Sequence, residues 1–182
     1  MHGKIMIPEQ EYKQRAEKAA EILRKQNLDA LIVNGNEADY ANTRYFSGFW
    51  PLFERCGVAI SARGDATLMV GPESREFGAD RSKIDKIFVL KEYRESADPA
   101  YPELKAETFN DAFAAIGVTG KKLRIGVASW LDTSVVQMEG IRAAFPEAEI
   151  VRADSIMVEL RSIKSDAEIA CLREGYRIAE IA

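Results

Sequence analysis

The spacing of apolar positions changes from segment to segment along this chain, and those changes divide it into helices and strands. After Pro8, the residues Tyr12, Ala16, Ala19 and Leu23 recur at helical spacing, which predicts an amphipathic helix of about five turns. Glu11 and Arg15, Lys13 and Glu17, and Glu21 and Lys25 stand four apart and are assigned to its wet face. Asn27, a residue that tolerates the left-handed conformation, is placed at its end. The uninterrupted run Asp29-Ala30-Leu31-Ile32-Val33-Asn34 follows. Such runs belong to strands covered on both faces, as at the centre of an α/β sheet. A short helix is expected over residues 36–45, with Asn36 as its cap.

Further on, Gly57-Val58-Ala59-Ile60-Ser61 and Thr67-Leu68-Met69-Val70 flank Arg63-Gly64-Asp65, a turn sequence that suits an antiparallel hairpin. Gly71-Pro72 ends its second strand. A short polar helix is expected over 74–80 and a strand over 86–90. Residues 91–102 carry charges and two prolines without any period and read as a loop. A helix over 103–116 presents Leu104, Phe109, Phe113 and Ile116 inward, and Gly117 and Gly120 end it. A strand over 123–128 precedes a helix that Asp132 can cap, with Val135, Val136, Met138, Ile141 and Phe145 as its buried face. Glu149-Ile150-Val151-Arg152 reads as a short edge strand, and Asp154-Ser155 leads a half-buried turn over 156–160. Alternating helices and strands with one hairpin define an α/β domain: a three-layer mixed β-sheet of about five or six strands, with helices on both faces.

The final stretch stands apart. Ser165 and Glu168 have the spacing of a capping box, and Ile169, Leu172, Tyr176 and Ala179 then form a stripe that must bury against something. Spacing alone leaves two readings open: a helix docked back on this domain, or the first helix of another. On the second reading, residues 1–160 form one domain and 161–182 are a linker and the start of the next.

Composition narrows the chemistry. Of 182 residues, 47% are hydrophobic, enough for a core, and the net charge of −4 gives no basic face for nucleic acid or an anionic membrane. No apolar run approaches the roughly 18–20 residues that span a bilayer, and a cytoplasmic protein with Cys56 and Cys171 as reduced thiols is expected. Glycine-rich phosphate loops and nucleophile-elbow motifs are absent from the sequence. The single histidine lies at position 2, a poor base for a Ser/His or Cys/His couple. Asp80 with Asp85, and Asp98 with Glu103, read as solvated carboxylates.

One segment is richer in interface residue types than a connector requires: Tyr45, Phe46, Phe49, Trp50 and Phe53, interleaved with Arg44, Gly48, Pro51 and Arg55. The rings either cap the open edge of the core or face a partner. Tyr45 and Phe46 favour the first reading. Phe49, Trp50, Phe53 and Arg55, which follow Gly48, fit the second at least as well.

The run Asn42-Thr43-Arg44-Tyr45-Phe46-Ser47-Gly48-Phe49 resembles the N-x-R-Y-[LF]-[ST]-G-F segment of the creatinase / prolidase / aminopeptidase P family. Asp154, Leu160-Arg161-Ser162-Ile163-Lys164-Ser165 and Glu168-Ile169 resemble its interdomain junction, and the first helix and strand resemble its start. The resemblance implies a ribonuclease-H-like N-terminal domain followed by a "pita-bread" catalytic domain. In most members that second domain supplies two Asp, one His and two Glu to a pair of metal ions that activate water for Xaa-Pro hydrolysis. Creatinase-like members act on a guanidino compound without metal. On this resemblance, no cofactor belongs to the present chain, and divalent manganese, cobalt or zinc belongs to the second domain. The present chain is implied to be non-catalytic. It would contribute to a homodimer and to access by a peptide or small amide substrate, with Arg55 as reader of a substrate carboxylate and Arg44 second. A stand-alone binding or dimerisation module is the alternative, and a flavodoxin-type ligand-binding domain is disfavoured by the missing phosphate loop.

Overall fold

The apolar run after the first helix becomes the middle of the sheet. The computed structural model describes residues 5–95 and 106–181. Within them, β1 (Ala30–Gly35), β2 (Cys56–Ser61), β3 (Ala66–Val70), β4 (Ile87–Val89), β5 (Arg124–Ala128) and β6 (Glu149–Arg152) form one mixed sheet in the order β4-β3-β2-β1-β5-β6. β1 pairs antiparallel with β2 and parallel with β5, and all its residues are buried. β2 and β3 make the expected hairpin, while β4 and β6 lie at the edges, each parallel to its neighbour. β2 therefore runs against every other strand among the described residues.

Strand alternation divides the core into two layers. Leu31, Val33, Val58, Ile60, Leu68 and Val70 pack with Leu23 of α1 (Glu9–Lys25), Phe46 of α2 (Ala41–Ser47), Phe77 of α3 (Arg75–Arg81) and Ile156 of α6 (Asp154–Ser162). Ala30, Ile32, Ala59, Met69, Ile125 and Val127 face the other side, against Phe109 and Phe113 of α4 (Phe109–Ala115) and Ile141 of α5 (Val135–Ala144). Each large side chain so buried contributes about 1.5–3 kcal/mol, which makes strand register costly to shift. This is the expected three-layer α/β arrangement, with six strands.

Several helix boundaries differ from expectation because side chains close other turns first. Asn36 Oδ1 accepts from the amides of Ala38 and Asp39 at 2.8 and 2.9 Å, so it caps a turn, and α2 begins only at Ala41. α4 begins at Phe109 on a Thr108–Asp111 capping box; residues 103–105, Leu104 included, lie outside the described residues. α5 is capped by Ser134 and Gln137 rather than Asp132. Val135 and Val136 thus fall in its first turn, 72% and 47% exposed, instead of in the core. Lys91–Tyr93 form a 3-10 turn within the segment expected to be loop, and residues 96–102 of that segment lie outside the described ones.

Arg15, assigned by spacing to the wet face of α1, is 5% exposed. It donates to Tyr45 O at 2.7 Å and Glu11 Oε1 at 2.6 Å, pairs with Glu168 Oε1 at 3.2 Å, and lies 4.3 Å from the centre of the Tyr45 ring. Glu168 belongs to α7 (Asp166–Ala179), which opens on the expected Ser165–Glu168 capping box. Ser165 Oγ donates in turn to Glu11 Oε1 at 2.7 Å. No residue of α7 is buried, and Leu172 and Tyr176 are 50% and 71% exposed. The helix is tied down at its first turn, and its apolar stripe does not fold back on the core.

Cys56 and Cys171 are free thiols. Cys56 opens β2 in full burial beside Thr43 Oγ1, and burial pushes its thiol up to about 12.

Two outcomes follow from these contacts. Arg15→Leu leaves Glu11 and Glu168 facing each other without a cation. We expect a loss of about 2–3 kcal/mol in urea unfolding, below the roughly 3–5 of a fully buried pair because both carboxylates keep some access to water. Iodoacetamide at neutral pH should alkylate Cys171 in the native chain and reach Cys56 only after unfolding, as mass spectrometry of the peptides would show.

Candidate functional site

The strand directions bring most loop ends to one edge of the sheet. β1, β3, β4, β5 and β6 all finish there, and β2 begins there. The chain leaves β1 towards β2 and leaves β5 towards β6. A reversal of this kind opens a crevice beyond the carboxyl ends of the two strands.

Polar side chains fill the base of the crevice. Asn34, at the end of β1 and 1% exposed, donates from Nδ2 to Thr133 Oγ1 at 2.9 Å and accepts at Oδ1 from the Tyr93 hydroxyl at 2.8 Å. Tyr93 lies against Gly57, where a Cβ would come within 2.3 Å of its hydroxyl oxygen. Burial raises its phenol well above the ordinary value, which keeps it a neutral donor. Ser129 follows β5 at φ 57°, a conformation that costs an L-residue about 1–2 kcal/mol. The turn is held by the amides of Asp132 and Thr133, both 3.0 Å from Ser129 O, and by Trp130 N, 3.0 Å from Asp154 Oδ1. Asn42 of α2 donates to Ser129 Oγ at 3.0 Å and accepts from Arg161 of α6. One network thus joins the ends of β1 and β5, the Tyr93 turn and the last turn of α6.

Above this base lies a cleft of about 480 Å³, lined in part by Asn36, Phe53, Arg55, Lys91, Glu92 and Arg94. Arg55 is half-buried. Its amide donates to Tyr93 O at 3.1 Å and its guanidinium to Asp132 O at 3.0 Å. Among the described residues it forms no ion pair, although Glu37, Glu92 and Glu95 line the same cleft. Glu54, next to it in sequence, is 1% exposed. Burial raises its carboxyl above the ordinary carboxylate range, against the partial relief of the Ser74 hydroxyl and the Glu73 and Ser74 amides.

The aromatic and arginine residues singled out in the sequence divide into separate places. Phe53 and Arg55 line the cleft together. Arg44, by contrast, stacks on Trp50 at 4.6 Å, and Trp50 meets Phe77 edge-on at 6.1 Å; neither lines the cleft. Phe49 does not reach the surface: left-handed Gly48 turns the chain inward, and the ring is fully buried against Phe77. Nothing in the sequence marks Lys91, Glu92 and Arg94, whose segment shows no period, and Asn34, a polar residue ending an apolar run, looks like a strand boundary. Asp80 and Asp85 are exposed, as expected; His2, Asp98 and Glu103 lie outside the described residues. Among the described residues no three His, Cys, Asp or Glu side chains cluster closely enough to hold a metal ion. No described helix is long and apolar enough to cross a membrane.

Residues 15–163 match the family model described as the creatinase/prolidase N-terminal domain. The prolidase from Pyrococcus horikoshii OT3 superposes with a TM-score of 0.64 at 22% identity, over 91% of this chain and 40% of its own. The N-terminal domain of the cytoplasmic peptidase PepQ from Mycobacterium tuberculosis H37Rv gives 0.57 at 20% identity, over 81% of this chain and 98% of its own. The Xaa-Pro aminopeptidase P from Streptococcus thermophilus gives 0.54 at 21%, over 82% and 98%. No curated protein matches the sequence. The superpositions establish the fold, and this chain spans less than half the length of the Pyrococcus prolidase. With the family model taking in most of its length, the chain belongs to the creatinase/prolidase N-terminal domain family.

Proposed function

We propose that this chain is the non-catalytic N-terminal part of a two-domain hydrolase, an Xaa-Pro peptidase or a creatinase-like enzyme, and that its cleft offers Arg55 to the carboxylate of a peptide or small amide substrate. The observation that carries this reading is the state of Arg55. Its guanidinium faces a cleft, is held in place by Asp132 O, and has no carboxylate partner among the described residues. A guanidinium so placed can take a carboxylate through paired charge-assisted hydrogen bonds, while the Phe53 ring supplies an apolar wall. Structural relatives named as prolidase and Xaa-Pro aminopeptidase favour a peptide substrate. On this reading the divalent ions, manganese, cobalt or zinc, and the residues that activate water belong to a second domain. No catalytic step is assigned to the present chain.

A homodimer fits the same surface. Leu52, Phe53, Leu131, Val135 and Val136 are exposed apolar residues on the two segments beside the cleft, and covering them with a second copy would dry its mouth. The exposed stripe of α7 likewise suits a continuing chain packed upon it. A stand-alone dimerisation module would use the same apolar surface, and it would form dimers while leaving small carboxylates unbound.

In a protein that carries the second domain, Arg55→Ala should lower kcat/KM for an Xaa-Pro dipeptide by about tenfold to a hundredfold, the roughly 1.5–3 kcal/mol of a hydrogen bond to a charged group. Thermal stability should fall only slightly, through loss of the bond to Asp132 O. Unaltered kinetics would overturn the assignment of Arg55. The present chain alone, given manganese or cobalt, should show no turnover of Xaa-Pro dipeptides in a coupled proline assay, and turnover by pure material would overturn its non-catalytic role.

A further inference from the structure

Glu54 is a buried acid that the proposed function leaves unused. Neither of its carboxyl oxygens completes a well-formed hydrogen bond, although the residue is 1% exposed. The carboxyl lies against Gly71, where a Cβ would come within 2.3 Å of its Cδ and Oε1. Gly71 precedes the 3-10 turn Pro72–Ser74, which runs directly into α3. The donors turned towards Glu54 are thus the neutral Ser74 hydroxyl and the Glu73 and Ser74 amides, and the charge acting on it is that of Glu73, of the same sign. Arg55, the adjacent cation, reaches the opposite way to Asp132 O. Glu54 forms no ion pair among the described residues.

We infer that Glu54 is a positioning residue for Arg55, and that taking up a proton at Glu54 is linked to binding a carboxylate ligand in the cleft. The inference rests on the reading of Arg55 as the carboxylate reader. Its mechanical basis is the short lever between the two residues: the segment that presents Arg55 to the cleft is the one that carries Glu54 beneath it, so neither moves alone. Its electrostatic basis is the loss of a neighbouring positive charge. A ligand carboxylate offsets the charge of Arg55, the cation next to Glu54 in the chain, and so favours the neutral acid, which takes its proton from solvent. Linkage makes the effect reciprocal, so protonated Glu54 strengthens ligand binding by the same factor.

The direction follows from burial. An acid raised above its unfolded value stabilises the fold fully below that unfolded value, and the contribution is lost as pH rises through the folded value. The loop is therefore tightest, and Arg55 best held, below the raised folded value of Glu54, where the acid keeps its proton. Ligand affinity should fall as pH rises above the ordinary carboxylate range.

The test uses the whole 182-residue chain, with N-acetylproline as probe and N-acetylprolinamide as the control that lacks a carboxylate. The Glu54 carboxyl carbon resonance and the Arg55 guanidinium resonances are followed against pH, with and without saturating probe. Proton uptake is measured by calorimetry in buffers of different ionisation enthalpy. We expect Glu54 to titrate above the ordinary range in the free chain and higher still with N-acetylproline, but not with the amide. Binding should take up a proton in the wild type. In Glu54→Gln that uptake should vanish and affinity should no longer vary with pH in this interval, while Glu54→Asp, which retains an acid, should recover part of the dependence. A Glu54 resonance indifferent to the probe, or the same proton uptake in Glu54→Gln as in the wild type, would overturn the inference. Should Glu54→Gln fail to fold, the wild-type resonance and uptake still decide. Unchanged binding in Arg55→Ala overturns the reading of Arg55 and this inference with it. Lost binding in Arg55→Ala beside an unaltered pH profile in Glu54→Gln overturns this inference alone.

Discussion

β1 has a strand along each edge and a helical layer over each face, and the rest of the molecule follows from covering it. Its odd and even residues must be apolar together, so the helices split between two layers, with α4 and α5 on one side and the remaining core helices on the other. Burial of the strand to its very end leaves Asn34 inside, where an unsatisfied amide would cost about 1–3 kcal/mol. The side chain is satisfied by Thr133 from the far side of β5 and by Tyr93 from beyond β4. That one requirement draws together the loops that build the cleft floor. The hairpin supplies the remaining condition: because β2 alone begins at this edge, the segment leading into it must cross the crevice, and Arg55 comes with it.

The parts of this architecture set by short-range pattern could be read from the sequence. An uninterrupted apolar run identified β1, the Arg63-Gly64-Asp65 turn identified the hairpin, and the Ser165–Glu168 spacing identified the start of α7. What could not be read turned on competition between equivalent local choices. Asn36 can cap a helix or close a turn two and three residues on, and nothing in its own neighbourhood decides between them. Asp132 and Ser134 are both competent caps; Ser134 prevails because Gln137 returns the bond, and that shift of two residues moves Val135 and Val136 from core to solvent. Phe49 and Phe53 look alike in sequence, yet the left-handed turn at Gly48 buries the first. Arg15 lay deepest in shadow, since its second carboxylate comes from Glu168 at the other end of the chain. The cleft residues Arg55, Lys91 and Arg94 come from segments that converge only once the sheet is formed.

Arg15 and Glu54 show two ways of burying a charge. Arg15 is surrounded: a backbone carbonyl, two carboxylates and the Tyr45 ring all face it, so the cost of taking it out of water is largely met, and it can pin α7 rigidly to α1. Glu54 has only neutral donors and a neighbour of like charge, so burial shifts it towards the protonated form. A cation that could neutralise it stands one residue away, but Arg55 is committed to the cleft and to Asp132 O. The loop therefore holds a cation on its outer side and an acid on its inner side, joined by a single peptide unit and neither in an ion pair among the described residues. A carboxylate arriving from solvent neutralises the first and burdens the second. Glu54 can answer that burden either by leaving its seat against Gly71 or by taking up a proton, and only the proton leaves Arg55 where the ligand found it.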